Sequence, residues 1–393
     1  MNKGKLKDTK VMLAVTLFAI LFTVAGYRIC AFTSDEADDA EFYTAKILSV
    51  GEPQVERIEI GEGVEPFENQ WIPFTAEFTG GPEQGRTFEA IQYIDSLYAI
   101  PPREVEAGHH ILVTRNEGEE DGGGWVYVEH DRGRYLIGLS LVFLLLVVLV
   151  GKFKGLATIL SLATTAAAIF VIYIPSILKG YNIYLTTSIL SVYIIVVSLI
   201  MMNGSNIKTY SAILGNIGGV AASGLLAFFM NGLLNVTGFI DEDYALLLSM
   251  DSAAPIDLRA VIWGSIVIGS LGAIMDIAMT IASAMNEVAE HMGEKSFRKL
   301  LRSGMNIGVD SIGTMTNTLV LAYIGGALAM VLLLVAYNKN VLFLFNLEMI
   351  VVEVAQAVIG SMGILLAVPA TALISAYLHT IKPPEQLWGE GNE

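Results

Sequence analysis

The sequence predicts an α-helical polytopic membrane protein of about eight transmembrane helices, with a small β-rich, OB-like barrel domain inserted after the first helix. Three observations predict it. The 393 residues are 54% hydrophobic with a mean hydropathy of +0.59, too apolar for a soluble globule of this length. Apolar runs of roughly 20 residues recur, long enough to cross a bilayer at 1.5 Å rise per residue. Residues 31–133 hold 23 Asp+Glu against 6 Lys+Arg, while the other 290 hold 16 against 17. The formal charge of −16 therefore belongs to one water-facing block in an otherwise neutral, oily chain.

Residues 1–10 read as a cytoplasmic N-terminus and 11–30 as a retained anchor. Seven further spans follow at 135–151, 156–178, 183–202, 210–236, 258–284, 314–337 and 349–378. They make residues 134–380 a seven-helix bundle, with 381–393 a cytoplasmic tail. Arg134 can snorkel at the start of the second span, and Pro369 lets the long last span bend. Basic loops resist translocation. An arrangement with both termini in the cytoplasm puts twelve Lys and Arg inside and five outside, the acidic block not counted. Residues 31–133 are then extracytoplasmic, and the expected location is a bacterial cell membrane. Cys30 is the single cysteine, so the acidic domain folds without an intrachain disulfide.

Within that domain, alternating stretches predict strands at Phe42–Val50, Val55–Ile60, Trp71–Thr79, Arg86–Tyr93, Ile111–Asn116 and Trp125–Glu129. Gly80-Gly81-Pro82, Gly85 and Gly122–Gly124 supply turns. Five or six short strands suit an OB-like barrel. Its surplus of acid repels phosphate backbones, which excludes nucleic acid as a partner. His109, His110 and His130 lie among carboxylates, but their spacing matches no metal motif, and adjacent strand residues face opposite ways. They are read as solvated histidines, and no metal or other cofactor is expected. The acidic runs 35–39 and 117–121 lack EF-hand spacing.

The sixth span carries the sharpest pattern. Ser265, Gly269, Gly272, Asp276, Thr280, Ser283 and Glu287 follow at steps of three and four, all within about 40° of Asp276 on one helical face. Small residues there admit a neighbouring backbone. The acid and hydroxyls are expected to face a polar cleft, since a carboxylate against lipid is costly. Asp276 lies about 12 Å from the inner end of its span, where a carboxyl must be protonated, paired or hydrated. Asn306, Asp310, Thr314 and Asn317 form a matching stripe on the next span, expected to face polar partners too. Between them, 286–304 reads as an amphipathic segment on the inner leaflet. In the fifth span glycines surround Asn216 and Ser223, with Gly215-x-x-x-Gly219 a helix-contact signature. Glu353, Gln356, Gly360 and Gly363 mark the eighth.

No phosphate loop, His-Glu-x-x-His, Cys/His cluster or Gly-x-Ser-x-Gly elbow occurs, so the chain is not read as an enzyme. The stretches Gly269-Ser-Leu-Gly-Ala-Ile-Met-Asp276-Ile-Ala-Met-Thr280 and Gly308-Val-Asp310-Ser-Ile-Gly-Thr-Met-Thr-Asn317, with one N-terminal span, a small β-rich head and a seven-span bundle, resemble the YibE/F-like bacterial membrane protein family. The resemblance covers essentially the whole chain. It implies this topology and no established substrate, reaction or catalytic residue. Val105-Glu-Ala-Gly108-His-His-Ile-Leu-Val is similar to a Val-x-x-Gly-Asp-x-Val turn of such heads, with His109 in place of the acid.

The expected function is a secondary transporter or permease subunit. Asp276 and Asp310 would exchange a proton or cation with a solute, with Thr280, Ser283, Asn306, Thr314, Asn317, Glu353, Gln356 and Asn216 as candidate path residues. Its partners would be membrane lipids, a small solute or ion, and a second copy or partner membrane subunit. The rival is a non-transporting envelope scaffold whose head binds a protein or cell-wall component.

Overall fold

The computed structural model describes residues 3–30, 41–58, 67–94, 102–115, 124–240, 242–249, 255–292, 296–337 and 340–381. The acidic runs 35–39 and 117–121 and the tail from 382 lie outside them. The chain divides into two compact units, Ser34–Leu146 and Met1–Thr33 with Val147–Glu393.

Among the described residues the first unit holds six strands: β1 (Phe42–Val50), β2 (Gln54–Ile58), β3 (Phe67–Phe78), β4 (Thr87–Ile94), β5 (His110–Arg115) and β6 (Trp125–His130). They fall within a few residues of where alternation in the sequence puts them, β3 starting four residues earlier than expected; the expected strand ends at 59–60 and 116 lie outside the described residues. Five close into a small barrel in the order β1-β3-β4-β6-β5-β1, and β2 pairs with the first part of β3, Phe67–Trp71, beyond the stretch that pairs with β1. All pairings are antiparallel except β4 with β6. Alternate residues turn inward, so β3 buries Ile72, Phe74, Ala76 and Phe78 and exposes Trp71 between them and solvent. Phe78 stacks on Phe88 at 4.0 Å, and Trp125 meets both rings on edge or tilted. Among the described residues of the barrel one polar side chain is fully buried: Gln92 donates to Arg103 O and accepts from Val105 N, both at 2.9 Å. It fastens the segment before β5 to the barrel wall.

The second unit is helical, and α2 enters it from the first: α1 (Lys3–Cys30), α2 (Gly133–Ala167) running into a π-helical turn (Ala168–Tyr173) and α3 (Ile174–Leu178), α4 (Ile183–Asn203), α5 (Ile207–Leu233), α6 (Glu242–Ser249), α7 (Leu258–His291), α8 (Phe297–Gly326), α9 (Leu328–Tyr337), α10 (Val341–Leu344) and α11 (Glu348–Ile381). Among the described residues six helices are long and apolar enough to cross a membrane, or seven if α8 and α9 form one bent span. The spans expected at 135–151 and 156–178 lie in one run, Gly133–Leu178, broken at Lys152 (φ 51°, ψ −125°). A Cβ on Gly155 would stand 2.2 Å from Val147 O, so the chain folds back tightly at this break.

Side chains of Asn182, Asn206 and Asp257 accept from the backbone N–H three residues on and start α4, α5 and α7. The core forms where α5, α7 and α11 meet. A Cβ on Gly215 would lie 2.1 Å from Thr371 Oγ1, and one on Gly219 2.7 Å from Ala367 Cβ, so the helix-contact signature seats α5 directly on α11. Trp263 donates to Gly224 O at 2.7 Å and ties α7 to α5. At one end Glu348 accepts from Thr237 N (2.8 Å), Gly238 N (2.7 Å) and Thr237 Oγ1 (2.8 Å), strapping the start of α11 to the loop after α5.

Two expectations need revision. The span expected at 314–337 straddles a break: α8 begins at 297, ends at 326, and α9 departs at 62°. Hydropathy follows the apolar run and does not register the bend. The amphipathic segment at 286–304 is no separate helix either. Residues 286–291 continue α7 and 297–304 begin α8.

Candidate functional site

On α7, isoleucines and alanines cover three sides of the helix and are buried against its neighbours, which leaves the polar stripe as its outward ridge. Toward its outer end the ridge is touched by two neighbouring helices, while Gly269 and Gly272 stay exposed. Ser265 Oγ accepts from Gln356 Nε2 of α11 at 3.1 Å. Gly269 lets the Tyr323 hydroxyl of α8 lie against the α7 backbone, where a Cβ would be 2.5 Å from it. Glu353 of α11 is near enough to act on that phenol electrostatically. Ser265, Gln356, Glu353 and Tyr323 are thus gathered where α7, α8 and α11 meet. Tyr323 was not singled out in the sequence; an aromatic in an apolar run gives no polar signal there.

The inner half of the ridge is open. Thr280, Ser283, Asn286 and Glu287 line a groove of about 490 Å³ whose opposite wall includes Lys208 at the start of α5. Asp276 stands exposed one turn beyond Thr280, about 6 Å along the helix axis. Its carboxyl makes no hydrogen bond or ion pair with the described residues.

The α8 stripe, expected to face polar partners, turns away from the neighbouring helices. α8 packs through Gly304, against Met285 and Ala372, and through Gly308, against Val368 and Ile281. Asn306, Asp310, Thr314 and Asn317 lie on the opposite side of the helix and are exposed. The reason is steric. The small-residue face allows the closest helix approach, so it turns inward and carries the polar stripe outward. α8 alone does not qualify as a membrane-crossing helix and does so only together with α9.

A second polar seam is sealed inside. Asn216 is fully buried on α5, and among the described residues neither its amide nitrogen nor its oxygen has a partner; Thr371 Oγ1 and Ser375 Oγ of α11 are likewise buried and unpartnered among them. Asn216 was flagged by its glycine surroundings. Thr371 and Ser375 were not, because isolated hydroxyls are common in apolar helices.

The motif stretches 269–280 and 308–317 lie on α7 and α8, within a matched region. Residues 139–381 match the family described as YibE/F-like protein. The chain belongs to that family. The match bears out the resemblance read from those two stretches. No curated protein and no solved structure matches this YibE/F-like chain.

In the barrel of this YibE/F-like protein the three histidines are sorted by the fold. His110 pairs across β1 with Lys46. His109, in the turn before β5, and His130, at the end of β6, come together with ring centroids 5.2 Å apart. The Tyr127 hydroxyl is 2.6 Å from His130 Nδ1, and burial beside Glu129 raises that phenol to about 12. Burial, then the cations Arg134 and Lys46, hold His110 below the ordinary imidazole value. Burial, then the neighbouring His109, do the same for His130. Among the described residues no three His, Cys, Asp or Glu converge as a metal cluster.

Proposed function

We propose that this YibE/F-like chain is the membrane subunit of a secondary transporter that couples solute movement to a proton or cation at Asp276, with Asp310 as a second exchange group. The observation that carries the proposal is the groove in which Thr280, Ser283, Asn286, Glu287 and Lys208 stand among Met279 and Ala284, and which ends one turn short of a carboxylate without a partner among the described residues, on an apolar helix. A carboxylate against acyl chains is too costly to persist, so water or protein must cover it. The groove supplies water from one side. A second copy or a partner membrane subunit covers the rest, including the outward stripe of α8. The sealed seam of α5 and α11 gives the bundle glycine-packed helices able to shear.

Eight spans follow if Gly133–Leu178 crosses twice, turning at Lys152, and if α8 with α9 crosses once. The basic residues then place both termini in the cytoplasm and the barrel outside a bacterial cell membrane. The closed strand order with one parallel pair supports an OB-like reading of that barrel.

The test uses full-length protein in proteoliposomes with a trapped pH-sensitive dye, under imposed Na⁺, K⁺ or pH gradients. Wild type is expected to move protons under at least one gradient. Asp276→Asn is expected to lower that flux at least tenfold, and Asp310→Asn to lower it less, at equal membrane abundance. Unchanged flux in Asp276→Asn refutes the coupling role.

One observation favours the scaffold reading. Trp71 (38% exposed) and Tyr93 (50% exposed) face solvent as a directly opposed pair on β3 and β4, a surface suited to stacking on a ligand. A scaffold predicts that deleting 35–131 disables the protein while Asp276→Asn is tolerated.

A further inference from the structure

Four side chains on the barrel form a line that none of the foregoing uses. Tyr127 Oη is 2.6 Å from His130 Nδ1, His130 Nε2 is 3.3 Å from His109 Nδ1, and His109 Nε2 faces Glu106 Oε2 at 3.5 Å. A carboxylate only accepts, so Glu106 fixes the His109 proton on Nε2 and leaves Nδ1 as a lone pair. Without a metal, His130 Nε2–H donates to that lone pair and Tyr127 donates to His130 Nδ1.

The two facing nitrogens also have the spacing of a chelate. Two imidazole nitrogens bound to one tetrahedral zinc at 2.0–2.1 Å stand about 3.3–3.4 Å apart. The outer nitrogen of each ring already meets an oxygen, which is the arrangement that orients metal-bound histidines and raises their basicity. His109 is one-quarter exposed, so an ion can reach it from solvent. We propose that His109 Nδ1 and His130 Nε2 form an exchangeable binding site for a tetrahedral, imidazole-preferring divalent cation of the zinc class.

The proton count closes without release. As the ion takes His130 Nε2, the ring's single proton moves to Nδ1 and is donated to Tyr127 Oη. The phenol proton turns to Glu129 Oε1, 3.4 Å away. Arg132 pairs with Glu129 and Arg103 with Glu106, holding both carboxylates in place. Only two protein ligands converge, so the remaining positions go to water or an incoming ligand. That openness fits capture and hand-over better than structural zinc, whose sites are closed.

The test is calorimetric titration of full-length protein in detergent micelles with ZnCl₂, with millimolar Mg²⁺ present to occupy loose carboxylates. Co(II) then serves as the spectroscopic probe of geometry. One saturable equivalent is expected, with the intense visible bands of tetrahedral Co(II). His109→Ala and His130→Ala are each expected to weaken binding at least tenfold, and Tyr127→Phe by about tenfold. His110→Ala is expected to leave affinity unchanged. His130→Asn, which keeps an amide group beside Tyr127, guards against loss through misfolding and should also fail to bind, with its barrel melting like wild type. Absence of a saturable equivalent, or binding that survives both His109→Ala and His130→Asn, overturns the proposal. So does an equal loss in His110→Ala.

Discussion

Gln92 shows how much one buried side chain can decide. It satisfies a backbone donor and a backbone acceptor in the segment before β5. Gln92→Leu keeps the volume and orphans both. Leaving buried polar groups unsatisfied costs about 1–3 kcal/mol, so the barrel should melt earlier, as read by tryptophan fluorescence; an unchanged melt would contradict this accounting. The histidines add a pH dependence. His110 and His130 are held below 6.5 in the folded barrel, mainly by burial. The unfolded chain therefore takes up those protons first, and stability present above that value is lost as pH falls through the folded values. With a chelator present, the barrel's melting temperature should drop between about pH 7.5 and about pH 5.5, and His130→Gln should flatten the slope. A flat wild-type profile would remove the claim. Residues of this kind were only partly legible in the sequence. Asp276 stood out because helical spacing of three and four is a local property. Gln92 did not, since its partners lie 11 and 13 residues away on a segment whose path is set by the barrel.

At the scale of elements, the strands were legible because alternation and glycine turns are local, and a close helix contact on α5 was legible in its glycine pair, though not that α11 is the partner. The seam makes a sharp prediction. Gly219→Val forces bulk against Ala367, Ile274 and the Gly363 carbonyl, and overpacking of this kind costs about 1–3 kcal/mol. Gly313→Ala meets nothing within 4 Å and should be tolerated or slightly stabilising, because alanine favours helix. Thermal unfolding in micelles compares the two, and equal behaviour would mean that the seam is loose. The strap at Glu348 behaves differently: Glu348→Ala leaves three donors without their acceptor, whereas Glu348→Gln keeps an oxygen for the two backbone N–H groups. The first should lower the unfolding temperature clearly and the second little. No local pattern predicted this strap, which joins residues more than a hundred positions apart. The orientation of α8 was likewise hidden. Its polar and small-residue faces were both visible, but which one turns inward depends on the helices it meets.

Across the whole molecule, the partition of charge separates a net −17 block from a neutral remainder, and the barrel and the helical unit follow that division closely. Function rests on a narrower point. α7 carries polar groups along one ridge, which Gln356 and Tyr323 touch toward its outer end and which is open beside Lys208 toward its inner end. For transport, water in that opening must reach Asp276. The chain has one cysteine, so Cys30→Ser gives a background in which single cysteines at 276, 280, 283 and 277 can be probed with a membrane-impermeant thiol reagent. The account predicts labelling at 283, 280 and 276 from the side of the groove, with the buried position 277 refractory. Labelling at 283 that stops before 276 would contradict it.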